Sequence, residues 1–300
     1  MITLYLSDGL GNQMFQYACA RAIQIHTNNK LRFSLSKFSS DNAGRKYALG
    51  SFNINGEIKI MSGMKSSIDL CLLKMRLRLP FAGVPDPHKG YIGKNIIWGE
   101  PIQVYNFLDY TNKEFGRNLR IYGQFQNPKY FEQYSGVIKS ELTVKTVPSK
   151  ANQAFIDQIS ATNSVCVHVR RGDYLDGRWQ HLNVCNYEYY LKAMKRVSEK
   201  TENPVFYIFS NSHSDIEWIK ENYNFDEFNV EYVDLENPDY EELRLMYSCR
   251  HFIISNSTFS WWAQYLGACE EKVVVAPSVW NKKLDDYTGL YLPGWDIIEV

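Results

Sequence analysis

From about Asn152 onward, short apolar runs alternate with longer stretches of mixed polarity. Val165–Val169, Val205–Phe209, Val230–Val233, His251–Ile254 and Lys272–Ala276 read as strands. Helices are predicted between them, over Asn186–Thr201, Asp215–Tyr223, Tyr240–Cys249 and Phe259–Leu266. Strands that stay apolar at successive positions suit burial on both faces, so the pattern predicts a parallel, doubly wound α/β sheet. The chain opens on the same rhythm: strand Ile2–Leu6, glycine loop Ser7-Asp8-Gly9-Leu10-Gly11-Asn12, helix Gln13–His26 and strand Leu31–Leu35. Such a βαβ unit puts its first loop at a strand's C-terminal end, where open sheets bind ligands. Between Ser36 and Gln124 the pattern is broken by Gly, Asn and Pro, apart from a candidate helix over Ser66–Leu79. Two Rossmann-like domains are expected, residues 1–148 and 149–300, with Pro148 and Ser149 marking the joint.

Charge narrows the function classes. Thirty-three basic residues balance 33 acidic ones, so no global field draws in nucleic acid. No apolar run approaches the ~20 residues of a membrane span, and Met1–Leu6 reads as a strand rather than a signal peptide. The six cysteines are scattered without a Cys-x-x-Cys pair, as expected of free thiols in a reducing, cytoplasmic setting. No His/Cys cluster has zinc spacing and no Asp-x-Asp triplet is present, so no metal is expected. Lys74, Arg76 and Arg78 alternate with Met75, Leu77 and Leu79. An ordinary partly buried helix is the favoured reading there, and a membrane-surface helix the alternative.

The candidate chemistry starts at His168-Val169-Arg170-Arg171-Gly172-Asp173, directly after a strand. Two arginines at the end of a buried strand are costly to desolvate unless an anion meets them, and guanidinium matches phosphate bidentately. A structural cluster with Asp173 is the alternative. A second group, Ser255-Asn256-Ser257-Thr258-Phe259-Ser260, ends a strand and opens a helix. One hydroxyl caps a helix, so several remain for a ligand, and the helix N-terminus itself attracts phosphate. Trp261 and Trp262 are expected to pack that helix onto the sheet. In the first loop Met14 stands where a dinucleotide fingerprint needs its third glycine, which argues against NAD or FAD. What remains is a tight turn where Gly11, Asn12 and Gln13 can face a polar ligand or pyrophosphate. Glu242, or Asp234, can accept both N1–H and N2–H of a guanine; the alternative for Glu242 is a helix-dipole role.

Gly9-Leu10-Gly11-Asn12-Gln13-Met14-Phe15-Gln16-Tyr17, His168–Tyr174 and Ser255–Trp262 together resemble the alpha-1,2-fucosyltransferase family. Tyr122–Phe131 and Val275–Trp280 resemble further stretches of it. The resemblance implies a GT-B fold with a cleft between two Rossmann-like domains: an acceptor-side first domain and a second that holds GDP-fucose. It also implies inverting transfer of L-fucose to O2 of a galactoside, with the diphosphate gripped by Arg170 and Arg171. Two departures stand out. Relatives usually carry Phe-Ser-Asp-Asp where this chain has Phe209-Ser210-Asn211-Ser212, with Asp215 a partial replacement, and often Asp where Glu242 stands.

Charge developing on the departing β-phosphate assigns catalysis to Arg170 and Arg171, aided by Ser257, Thr258 and neighbouring hydroxyls. Two guanidiniums can replace a divalent ion, so no cofactor is expected; GDP-fucose, which the resemblance implies, is the donor substrate. Asp173 is the nearest carboxylate for the acceptor proton; Asp8, Asp176 and a base-free route stay open. A donor site shared with another linkage or acceptor, or a non-catalytic binding module, are the competing functions. The partners expected are GDP-fucose and a galactoside, with a lipid-linked oligosaccharide and peripheral contact with the inner membrane as candidates.

Overall fold

The computed structural model describes residues 1–38, 45–78, 90–99, 107–175, 177, 179–284 and 287–300. The side chains of Lys74, Arg76, Leu77, Arg78 and Asp173 lie outside that description, as do Leu79 and Asp176 altogether. The chain divides into two compact units, Met1–Thr143 with Thr288–Leu290, and Val144–Tyr287 with Tyr291–Val300.

The first unit is built on a sheet of six strands. These are β1 (Ile2–Tyr5), β2 (Leu31–Ser34), β3 (Lys59–Met61), β4 (Tyr91–Gly93), β5 (Ile96–Gly99) and β6 (Leu119–Gly123), in spatial order β3-β2-β1-β6-β5-β4. Among the described residues only the β4–β5 pairing is antiparallel. Helix α1 runs Leu10–Thr27, α2 Gly63–Arg78 and α3 Ser135–Glu141. Helix α1 starts ahead of the Gln13 expected from sequence. Asp8 takes a left-handed conformation (φ 66°), and Gln13 N–H already donates to Gly9 O at 3.1 Å. Glycine at position 11 disfavours a helix by about 1 kcal/mol. Burial of Met14, Phe15, Ala18, Cys19 and Ala22 against the sheet outweighs that, at roughly 1.5–3 kcal/mol per large side chain. Gly123 is required where it stands: at φ +149° a Cβ would lie 2.3 Å from Gly99 O.

The second unit is more regular. Strands β7 (Asn163–His168), β8 (Pro204–Phe209), β9 (Val230–Tyr232), β10 (His251–Ile253), β11 (Val274–Pro277) and β12 (Asp296–Ile298) are all parallel. Their order, β9-β8-β7-β10-β11-β12, is that of a dinucleotide-type sheet, in which the direction of winding reverses beside the first strand. Helices α4 (Lys150–Ala161), α5 (Tyr187–Ser198), α6 (His213–Asn222), α7 (Asp239–Ser248) and α8 (Thr258–Leu266) complete it. Strand β12 carries no apolar run, being half-buried and half-exposed, and the hydrophobic pattern does not reveal it. Val165, Val167, Ile208, Ile253 and Val275 form the sheet's contribution to a core with Tyr189, Tyr190, Met194, Ile216 and Ile219. Trp261 and Trp262 are wholly buried on α8, as their place in the sequence suggested.

The segment around Pro148 and Ser149 belongs to the second unit. Ser149 caps α4 by accepting from Asn152 N–H at 3.1 Å. Ahead of it, Thr146 Oγ1 donates to Glu241 at 3.1 Å and accepts from Arg244 at 2.9 Å. The buried Arg244–Glu241 pair (3.5 Å) thus ties this segment to α7, and the division falls after Thr143.

Candidate donor site

In a doubly wound sheet, ligands gather at the C-terminal ends of the strands where the winding reverses, because two adjacent loops diverge there. In the second unit that point lies between β7 and β10. The loop after β7 is Val169–Asp173, and the loop after β10 is Ile254–Ser257. The two motifs read separately from sequence are therefore neighbours. His168 Nδ1 and Ser255 Oγ lie 2.9 Å apart, and Tyr174 OH donates to Asn256 O at 3.1 Å.

Arg171 is the best-defined cation of the site. Its guanidinium stacks on Trp218 of α6, 3.2 Å from the ring centroid, and its Nε lies 3.5 Å from Asp215 Oδ1. Its backbone N–H donates to Asn211 Oδ1 at 3.2 Å. A stack takes the face of the guanidinium, and the Asp215 contact falls on the buried Nε. Both Nη groups make no hydrogen bond among the described residues, which leaves a planar fork with donors to spare. Arg170 lies over the Tyr174 ring at 5.1 Å. Gly172 makes the turn: its φ is +39°, and a Cβ there would sit 3.2 Å from the Asn211 side chain. Asp215 and Trp218 were not assigned to Arg171 in sequence. Their i, i+3 spacing on an amphipathic helix was the only local signal.

Other expected residues take supporting positions. His168 is 3% exposed, and burial with the nearby Arg170 charge pushes its pKa down to about 3, so the ring is neutral. It braces Ser255 rather than presenting a charge. Asn256 is buried, and its amide donates to Leu182 O (2.8 Å) and Trp280 O (2.9 Å). Ser260 Oγ donates to Ser255 O and Ser257 O. Ser257 caps α8 by accepting from Phe259 N–H at 3.3 Å. Thr258, first residue of α8, keeps a hydroxyl with no hydrogen bond among the described residues. Helix α8 thus offers its N-terminal N–H groups and Thr258, while the remaining polar groups hold the loop.

Glu242 sits near the start of α7. Burial lifts its carboxyl to about 8, Asp239 and Asp234 adding to the rise and Asn237 opposing it. Asp234 pairs with His213 Nδ1 at 2.6 Å, and that bond raises the exposed imidazole's pKa. His213, Glu217 and Asp234 bring potential ligand atoms within 4.8 Å of one another among the described residues. Glu217 is also paired with Lys220 at 2.7 Å. Two of these three residues are exposed, and each is satisfied by a protein partner.

Gly11, Asn12 and Gln13 belong to the first unit. Gln13 is buried with its amide fully engaged, donating to Asp8 O and Lys46 O (both 2.8 Å) and accepting from Ala48 N–H (2.9 Å). Asn12 Oδ1 accepts from Gln126 at 2.7 Å; its Nδ2 makes no hydrogen bond among the described residues. Gly11 is in the first turn of α1 and not in a loop. The side chain of Asp173 and all of Asp176 lie outside the described residues. Asp8 Oδ2 already accepts from Ser7 Oγ and Gln124 Nε2.

Two parallel-rich Rossmann-type units define a GT-B fold, the fold of nucleotide-sugar-dependent glycosyltransferases. A mutant of Arabidopsis thaliana FUT1 in complex with GDP shares that fold, with a TM-score of 0.51 over 91% of this chain and 69% of that one, at 12% identity. The chain belongs to glycosyl transferase family 11, whose pattern matches residues 93–299. An alpha-1,2-colitosyltransferase of Escherichia coli is 26% identical over 289 residues, covering 94% of this chain and 93% of that protein. Galactoside alpha-(1,2)-fucosyltransferase 1 of Saimiri boliviensis boliviensis is 31% identical over 149 residues, covering 46% of this chain and 40% of that protein.

Proposed function

We propose that this glycosyltransferase moves L-fucose from GDP-β-L-fucose to O2 of a terminal galactoside, with inversion to an α-1,2 linkage. The observation that carries the reading is the Arg171 fork, stacked on Trp218 and braced by Asp215 at the winding reversal, with both Nη groups unengaged among the described residues. As the C1–O bond to the β-phosphate breaks, negative charge grows on GDP. Preorganised guanidiniums and helix N–H groups lower that barrier most when they need not reorganise. Arg170 and Arg171 clamp the diphosphate in this scheme, aided by Thr258 and the N-terminus of α8. The acceptor O2 forms the new bond to C1 and its proton passes to a carboxylate, for which Asp173 is the residue assigned. Glu242 receives guanine N1–H and N2–H. The second unit is the donor side; the first is the acceptor side, where Asn12 Nδ2 is available at the β1 loop. A lipid-linked oligosaccharide is the class of natural acceptor that fits assembly of a surface glycan.

A second donor has support from the end-to-end similarity to a colitosyltransferase. Colitose is L-fucose without its 3-hydroxyl, so the two readings differ in one hydrogen bond. A site built to bind that hydroxyl rejects the deoxy sugar by orders of magnitude, whereas a site that ignores it accepts both. The test is a transfer assay with GDP-fucose and GDP-colitose on a panel of β-galactosides, with the linkage assigned by NMR. Turnover of GDP-fucose to an α-1,2 product in excess EDTA is expected. A different linkage, a strict need for added manganese, or GDP binding without any turnover would each overturn the reading.

A further inference from the structure

Helix α2 in the first unit is apolar on two opposite sides. Its inner face is fully committed to the fold: Leu70 and Leu73 pack with Tyr5 and Tyr122. Ser66 Oγ lies 2.7 Å from Ser34 Oγ, and Asp69 pairs with Arg120 at 2.8 Å and accepts from Tyr5 OH. At about 100° per residue, Ser66, Asp69, Leu70 and Leu73 share one side of the helix. The opposite side carries Met64 (79% exposed), Ile68 (53%), Leu72 (57%) and Met75 (58%), at i, i+4, i+8 and i+11. Scattered exposed apolar residues are ordinary; a continuous helical stripe of four is not.

The charges identify what covers the stripe. Within Gly63–Arg78 the sequence holds four bases, Lys65, Lys74, Arg76 and Arg78, against one acid. That acid, Asp69, is on the inner face and neutralised by Arg120. Of these bases the exposed Lys65 stands one residue after Met64, at the start of the apolar stripe. The chain as a whole has no net charge, so the sequence of this helix holds a local excess of positive charge. An anionic bilayer matches both the exposed apolar stripe and the excess of bases in the same helix: apolar groups enter the acyl boundary and bases meet the headgroups.

We propose that α2 is a membrane-docking helix that lies in the surface of an anionic lipid bilayer, with Met64, Ile68, Leu72 and Met75 inserted. Docking goes beyond the transfer reaction and holds the first unit, the assigned acceptor side, at the surface where a lipid-linked acceptor resides. The inner-face contacts are complete without it, so the outer face is available to lipid without loss of fold.

The experiment is co-sedimentation of the full chain with vesicles of phosphatidylcholine mixed with phosphatidylglycerol, against vesicles of phosphatidylcholine alone. The expected result is binding to the anionic vesicles that falls ~10-fold without phosphatidylglycerol and weakens steeply with salt. Ile68→Asp with Leu72→Asp is expected to abolish binding, while transfer to a soluble galactoside and the thermal transition stay as in the parent. Lys65→Glu, which leaves the apolar stripe intact, is expected to weaken vesicle binding several-fold. Failure of the parent to bind, or undiminished binding by the variants, would overturn docking. So would conversion of a dimer to a monomer by Ile68→Asp with Leu72→Asp in light scattering, since a second copy would then be the occupant. Vesicle binding is read without turnover, so its failure is distinct from failure of the transfer reading.

Discussion

Each unit brings two loops together where the winding of its sheet reverses, and the two units treat the polar groups there in opposite ways. In the first unit the loops after β1 and β6 are laced to each other. Gln124 reaches Asp8 at 2.5 Å and Gln16 at 3.2 Å, Gln126 reaches Asn12 at 2.7 Å, and Gln13 ties the β1 loop to Lys46 and Ala48. These amides are engaged with one another, with the Asp8 carboxylate and with backbone groups. In the second unit the loops after β7 and β10 are braced from beneath, by His168 against Ser255 and by Asn256 against Leu182 and Trp280. The Arg171 fork and Thr258 are left above that bracing with hydrogen-bonding capacity to spare. Lacing by amides, with no unengaged cation described, suits a shaped surface for a neutral sugar; a braced guanidinium suits an anionic leaving group.

Substitutions at the arginine fork should expose the contrast most sharply. Arg171→Lys replaces the planar fork with a point charge that cannot stack on Trp218 in the same way, and kcat is expected to fall ~100-fold in steady-state transfer assays. Parent-like turnover would remove the diphosphate role from Arg171. Gly172→Ala comes next, because it forces a Cβ onto a left-handed backbone beside Asn211. A loss of ~10-fold in kcat/KM with about 1–2 kcal/mol of stability is expected, read by kinetics and urea melts.

Glu242 supplies a pH test. A carboxyl raised from its ordinary 4.5 to about 8 holds a proton in the folded chain that the unfolded chain has released across that window. Stability therefore falls as pH rises from about 4.5 through about 8, and Glu242→Gln should remove part of that decline, on the order of ~2 kcal/mol given partial exposure. Accepting guanine N1–H and N2–H requires the ionised form, so GDP binding at pH 7 should release a proton. Calorimetry in buffers of different ionisation enthalpy measures this, and a binding heat independent of buffer would separate Glu242 from the base. The smallest effect is expected in the first unit. Gln124→Ala loosens the lacing without touching the donor clamp, so a roughly 2- to 5-fold rise in acceptor KM with little change in GDP affinity is expected. A matching loss of GDP affinity would erase the distinction between the units.

Much of the second unit was legible in sequence. Its central strands β7, β8, β10 and β11 are buried on both faces and apolar at successive positions, so they stand out between amphipathic helices, and the arginines after Val169 are marked by falling at a strand's end. Strand β12 escaped because Asp296–Ile298 has no such run. The start of α1 was placed too late because glycines at 9 and 11 signal a loop, while the capping geometry and burial that keep Gly11 helical are not local properties. His168 was expected beside the ligand; its burial places it under the loop, and burial of a polar side chain is decided by what packs over it.

The alternation of elements, the parallel class of the second sheet and the strand-end position of the two arginines are written in the local sequence. Each follows from periodicity, hydrophobicity and turn chemistry within a few residues. It took the folded chain to place β10 beside β7, to bring Trp218 and Asp215 of α6 to Arg171, and to raise the pKa of Glu242. Folding also decided that the outer side of α2 is bare while its inner side is full. Those outcomes depend on pairings between residues far apart in the chain, and on desolvation by the groups they bring together; no local pattern encodes them.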